Sequence, residues 1–246
     1  AASAIIARGI LPAAMEMLDR TTIQAVNAAF DVHLSEDAGS LLLVEVEGLR
    51  EETTAAMTDI VAICEAMGAF GIKVAETLAE RDLLWKARKL GYPALARIKP
   101  NSYIHDAVVP RSKLPDVLDA VNAIAERYGY IVANMFHIGD GNLHPLMLFD
   151  ARVDPIERVM EASAEILKVA IEAGGALSGE HGIGLEKNHF MFWVYGPEDL
   201  EAMQRARMAF DPDGVMNPGK VFPGGDSCAA IPTERVKRAL ADGMWI

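Results

Sequence analysis

Asp140-Gly141, set between the apolar runs at 130–137 and 143–149, constrains this chain more than any other pair of residues. Asp-Gly between two strand-like runs is the strongest short hairpin signal, because both turn residues must accept positive φ. A two-residue turn there places His137 directly across from His144. Opposed residues of an antiparallel pair share a face, with Cβ atoms about 5 Å apart. A tight hairpin in mid-chain also disfavours a doubly wound parallel sheet.

The flanking pattern extends this reading. Residues 41–47 (LLLVEVE) form a strand-like run, and 51–67 a helix with Met57, Ile60, Val61, Cys64 and Met67 as its apolar positions and Gly68 as its stop. Residues 70–75 read as a second strand. Thr77 and Glu80 have capping-box spacing and open a helix running to about Leu90, before Gly91 and Pro93. The order then recurs: a strand at 102–109, a helix at 114–128 ended by Gly129, and the two strands of the hairpin. Asp154-Pro155 supplies an N-cap and a first-turn proline for a helix reaching about Ala173. A glycine-rich stretch, a helix near 197–210 and a turn-laden segment at 211–223 follow. The expected fold is α+β: ferredoxin-like βαβ units with a largely antiparallel sheet covered by helices, plus a C-terminal helical and turn-rich segment. Residues 1–223 form one expected domain and 224–246 a tail.

Composition excludes some functions. The 246 residues can bury a substantial core, and the net charge of −12 comes without the Lys/Arg cluster that a nucleic-acid partner needs. Long-range attraction of an anionic substrate is excluded as well, so carboxylate binding must rest on local cations. The two cysteines, Cys64 and Cys228, make no disulfide framework, and a reducing, cytoplasmic setting is the expectation. No apolar run is long enough to span a membrane, so any membrane association would be peripheral, through partner subunits. The apolar opening lacks an initiator Met and a basic signal-peptide start, which suggests a piece of a longer chain.

Two imidazoles placed on one face by a hairpin can share a divalent ion at about 2.1 Å from each nitrogen. A third ligand is available in Ser178-Gly179-Glu180-His181-Gly182-Ile183-Gly184, whose glycines let backbone press close to a site. Two His and one Glu leave an open coordination position, as in catalytic rather than closed structural sites. The plainer reading is two polar residues beside a turn and a glycine-rich connector. A phosphate cradle fits poorly, since Glu180 would oppose the charge and the Gly-x-Gly-x-x-Gly order is absent.

Taken together, the segments 137–144, 178–184 and 211–220 (DPDGVMNPGK) resemble the C-terminal domain of FAD-linked oxidases, the glycolate oxidase D subunit, D-lactate dehydrogenase and D-2-hydroxyglutarate dehydrogenase family. The opening at 9–19 resembles the start of that domain, so the likeness runs to about Pro223. It implies a flavin-dependent oxidation of a small D-2-hydroxy acid, of glycolate or D-lactate type, to the 2-oxo acid. It further implies His137, His144 and Glu180 as ligands of Zn, Fe or Mn, His181 as the acid/base, and Arg88 as the cation for the substrate carboxylate. Asn217 and Lys220 would approach the cofactor. FAD would be held mainly by a separate N-terminal domain that this chain does not contain, leaving the isolated chain inactive. Other partners would be further oxidase subunits or an electron acceptor.

A lysine that some relatives carry before the aspartate matching Asp106 is missing from Tyr103-Ile104-His105-Asp106, which disfavours a dicarboxylate substrate. Arg81, Trp85 and Arg88 recur on one helix face, and a guanidinium fork suits a carboxylate. Without the resemblance, Arg88 would read as a solvated helix charge. His33, His105 and His189 default to surface or core histidines. Two competing readings remain: a zinc hydrolase using the same His/His/Glu site, and a non-catalytic ligand-binding or oligomerisation module.

Overall fold

The computed structural model describes residues 1–223; the expected tail at 224–246, with Cys228, lies outside the described residues. In chain order the first half comprises α1 (Ala2–Ala7), β1 (Ala14–Asp19), α2 (Arg20–Ala29), β2 (Ser40–Glu45), α3 (Arg50–Ala66) and α4 (Leu78–Leu95). The second half comprises β3 (Asn101–Ile104), β4 (Ala107–Val108), α5 (Leu114–Tyr128), β5 (Ile131–His137), β6 (Asn142–Leu143), β7 (Pro145–Phe149), α6 (Ile156–Glu172) and α7 (Pro197–Phe210). Among the described residues no helix is long and apolar enough to cross a membrane.

Local chemistry sets most boundaries. The Asp19 carboxylate accepts from the Thr22 N–H at 2.8 Å and caps α2. Thr77 and Glu80 close the expected capping box on α4, at 3.2 and 2.9 Å. α5 ends on Gly129 at φ +77°, a left-handed conformation that glycine adopts without strain. α6 starts one residue later than expected, with Pro155 as its N-cap, while Asp154 accepts from the Asp150 N–H instead.

Four expectations need correction. Residues 70–75 form no strand: Phe70 is 62% exposed, and among the described residues no strand pairs with the segment. Apolar alternation without a partner does not make a strand. α4 does not stop near Leu90 but continues through Gly91 and Pro93 to Leu95. Gly91 is a packing residue, because a Cβ there would meet the Met135 sulfur at 2.4 Å. The strands expected at 102–109 and 143–149 are each interrupted, at His105-Asp106 and at His144. Finally, the hairpin loop spans residues 138–141, not Asp140-Gly141 alone, and His137 pairs with Asn142. Only Gly141 has positive φ there (+82°), and the Asp140 carboxylate accepts from the Asn142 N–H at 3.0 Å.

The sheet is antiparallel throughout, in the order β2-β1-β5, then β6 and β7 end to end, then β4 and β3 end to end. The register is unbroken across the interruptions, so His144 lies level with Asp106 on one side and Met135 on the other. Leu18, Ala133, Met135, Leu146 and Leu148 fill one face under α2 and α4. Tyr103, Val132, Phe136, Met147 and Phe149 fill the other under α5 and α6. α1 and α3 cover the β1–β2 end of that second face through Ile5, Met15, Ile60 and Cys64. Side-chain alternation then puts Glu16, His137, Asn142, His144 and Asp106 on the first face, at its end away from the apolar cluster.

Candidate functional site

His137 sits at the end of β5 directly opposite Glu16 of β1. Its Nδ1 lies 2.5 Å from Glu16 Oε1, and the Arg88 Nε–H of α4 donates to Glu16 Oε2 at 2.8 Å. One buried carboxylate therefore serves two partners, each on its own oxygen. Burial pushes the Glu16 carboxyl up, but the bonds from His137 and Arg88 outweigh it and hold the group below its usual range. The same bond from Glu16 raises His137 above the usual imidazole value despite burial.

His144 occupies the gap between β6 and β7. Its Nδ1 lies 3.1 Å from the His105 carbonyl oxygen, an acceptor only, so Nδ1 carries the proton. Burial pushes His144 below the usual imidazole range and keeps it neutral, so Nε2 presents a lone pair. That lone pair faces Glu180 Oε1 at 2.9 Å, and His137 Nε2 lies 3.3 Å from the same oxygen. The 2.9 Å contact is favourable when a proton or a metal ion lies between the two groups. Ligand atoms around one ion, each about 2.1 Å from it, stand about 3.0–3.4 Å apart, so His137, His144 and Glu180 can hold a divalent metal. With Nδ1 of each imidazole committed to an acceptor, the rings are oriented as metal-bound histidines are.

Glu180 and His181 belong to the glycine-rich loop after α6, which is fixed from two sides. Asp106 is fully buried; it accepts from the Ser178 hydroxyl at 2.6 Å and from the N–H groups of Gly179, Glu180 and His181 at 3.0–3.1 Å. The Lys187 ammonium, itself buried, donates to the Asp106 carbonyl and carboxylate at 2.8 and 3.0 Å. Burial raises the Asp106 carboxyl, but the Ser178 hydroxyl and Lys187 more than reverse this and hold it far below its usual range. On the other side Gly179 presses against Asn142, where a Cβ would stand 2.4 Å from Oδ1. The His181 ring stacks on His144, centroids 5.0 Å apart and planes within 6°, and is half exposed.

The expected residues are thus largely brought together. His137, His144, Glu180 and His181 converge, and Arg88 joins them through Glu16. Trp85 and Arg81, on the same helix face as Arg88, both donate to Glu45, Trp85 Nε1 at 2.5 Å and Arg81 Nη2 at 2.7 Å. Asn217, at φ +47°, and Lys220 are exposed and bond to each other at 3.1 Å. Their segment returns to the site loop through the Val221 N–H, which donates to Gly184 O at 2.8 Å. Of the remaining histidines, His105 is core, buried under α6, and His33 is exposed. Glu16 and Lys187 were not singled out by sequence reasoning. Glu16 carried one signal, an acid inside the apolar run Met15-Glu16-Met17-Leu18; Lys187 carried none.

Residues 1–221 match the family model of FAD linked oxidases, C-terminal domain. The chain is 39% identical over 227 residues to the glycolate oxidase subunit GlcD of Escherichia coli, covering 92% of this chain and 45% of that protein. It is 31% identical over 217 residues to a D-lactate dehydrogenase of Archaeoglobus fulgidus, covering 88% and 47%. The chain spans about half the length of the curated relatives it matches. Among solved structures, 4-ethylphenol oxidase from Gulosibacter chungangensis in an isoeugenol complex superposes with a TM-score of 0.58 at 16% identity, over 85% of this chain and 48% of that one. That likeness concerns the fold alone.

Proposed function

The chain belongs to the family of FAD linked oxidases, C-terminal domain, and from that membership we propose that it forms the substrate-side half of a flavin-dependent oxidoreductase acting on a small 2-hydroxy acid of glycolate or D-lactate type. The observation that carries the reading is the convergence of His137 Nε2, His144 Nε2 and Glu180 Oε1 beside an arginine tied to the same carboxylate as His137. The names of the relatives, glycolate oxidase and D-lactate dehydrogenase, support the substrate class.

A divalent ion (Zn, Fe or Mn on these donors) would supply Lewis acidity that lowers the pKa of a coordinated hydroxyl, and FAD the hydride acceptor that no side chain provides. The chain's own residues do the rest. Arg88, with Nε held by Glu16, offers its Nη1/Nη2 edge to the substrate carboxylate. Glu16 holds His137 and Arg88 at a fixed separation, so both ends of a short 2-hydroxy acid are registered together. His181, stacked on neutral His144 and half exposed, takes the hydroxyl proton on its imidazole. Asn217 and Lys220 lie on the segment that Val221 ties to Gly184 of the site loop, and in this reading they approach the flavin. That domain, and an electron acceptor or further oxidase subunit, are the partners this reading requires.

The test is a screen of glycolate, D-lactate, L-lactate and a 2-hydroxy dicarboxylate on the full-length protein with a dye acceptor, metal content measured in parallel. His181→Ala should lose most turnover and keep its metal; His137→Ala should lose the metal. Turnover at wild-type rate in metal-stripped protein, or hydrolase activity without flavin, would overturn the proposal.

A further inference from the structure

The loop that brings Glu180 and His181 to the site is not ordered by its own sequence. Ser178-Gly179-Glu180-His181 has no regular structure, and the Glu180 and His181 side chains are each about half exposed. A loop with so little side-chain burial would sample many conformations. One buried group behind it receives its backbone N–H groups. The Asp106 carboxylate receives three consecutive backbone N–H groups and the Ser178 hydroxyl, and the same hydroxyl accepts from the Gly182 N–H at 2.7 Å. Successive N–H groups turned towards one point make an anion nest, here filled by a side chain of the same chain. Lys187, past the loop and buried, supplies the balancing charge on Asp106 from behind.

We propose that Asp106 and Lys187 form the positioning pair of this site, setting the distance of the Glu180 carboxylate and the His181 imidazole from the two hairpin histidines. The proposal rests on the reading of Glu180 as a ligand and His181 as the base. The fold favours such a role. Asp106 lies in the break between β3 and β4 at the level of His144, so the sheet that places His144 also places the anchor of the opposite ligand. His105, one residue earlier, fixes His144 by accepting from its Nδ1–H. The pair is not a salt bridge added to an already rigid loop: removing the anion leaves three aligned N–H groups and a buried ammonium without a charged acceptor.

A purely structural pair makes a different prediction from a positioning pair, and charge-balanced variants separate the two. In the full-length protein, Asp106→Asn and Lys187→Met alone should each lower Tm, because each strands a buried charge. The double variant Asp106→Asn/Lys187→Met removes both charges and should recover most of that Tm. Its affinity for Zn(II), measured against a chromophoric chelator, should still fall about tenfold to a hundredfold, the range seen when outer-shell partners are lost. Its kcat should fall with KM within about twofold of wild type, since Arg88 lies on α4 and its bond to Glu16 is untouched. Amide hydrogens of Gly179, Glu180 and His181 should exchange faster in the double variant while those of β5 and β7 do not. Recovery of Zn(II) affinity and kcat together with Tm would overturn the proposal, as would unchanged exchange at the three amides. Should the wild type bind no Zn(II), the metal reading falls by itself, and exchange at those amides still decides whether Asp106 holds the loop.

Discussion

Gly179→Ala tests whether the site loop is clamped between its buried anchor and the hairpin. The added Cβ would stand 2.4, 2.6 and 2.7 Å from Oδ1, Cγ and Nδ2 of Asn142, about 1 Å inside ordinary contact. Asn142 cannot withdraw easily, because it is buried in β6 with His137 on one side of the ladder and Val108 on the other. Overpacking of this kind costs about 1–3 kcal/mol. For a domain of this length that lowers the Tm of its transition by about 2–12 °C. The strain is relieved by moving the loop away from β6, which carries Glu180 from its 2.9 Å approach to His144. Metal–ligand distances tolerate only about 0.2 Å, so a shift near 1 Å should weaken Zn(II) binding about tenfold or more. Chelator competition and thermal denaturation of the full-length variant measure the two effects. A lowered Tm with wild-type Zn(II) affinity would refute the clamp, since Asn142 would then have absorbed the strain and the loop would not have moved.

Two further outcomes follow from groups that flank the site. Glu16→Gln preserves shape but removes the charge shared by Arg88 and His137, so KM for the carboxylate substrate should rise while Zn(II) affinity falls about tenfold; steady-state kinetics and metal analysis that show only one of the two effects would break the proposed link. Burial pushes the His105 imidazole down from 6.5 to about 4. The folded state therefore holds it neutral while the unfolded chain protonates it, and the stability it contributes is present above pH 6.5 and lost as pH falls towards 4. The loss is on the order of 3 kcal/mol. Urea unfolding of chelator-treated protein at several pH values between 7 and 4.5 should show this loss, and His105→Phe should flatten it; an equally steep decline in the variant would assign it to other groups.

What could be read from the residues divides along the range of the interactions involved. α5 ends at Gly129, and α7 begins at Gly196-Pro197, where glycine and first-turn proline chemistry within a few residues dictate. The hairpin was legible, but its loop was two residues longer than the Asp-Gly signal implies. Because side chains alternate with period two, a two-residue displacement of register keeps the same face, so His144 becomes a diagonal neighbour of His137 with rings 5.2 Å apart. His137 and His144 therefore still share a face, although they are not the opposed pair that a two-residue turn implies. The segment at 70–75 and the continuation of α4 past Gly91 depended on what packs against them, which local pattern does not contain. Glu16 stayed hidden for the same reason: its meaning lies in His137, 121 residues away.

That separation also dictates an order of events. The hairpin can form as soon as residue 149 is available, but a hairpin alone presents two histidines with no carboxylate behind His137 and no third ligand. Glu16 reaches His137 only when β1 docks on β5, and Glu180 reaches His144 only when the chain beyond α6 folds back over Asp106. Closing loops of this length is slow compared with forming a local turn. On the proposed ligand set, metal capture would be a late event, possible only after the chain through Lys187 has been made and folded.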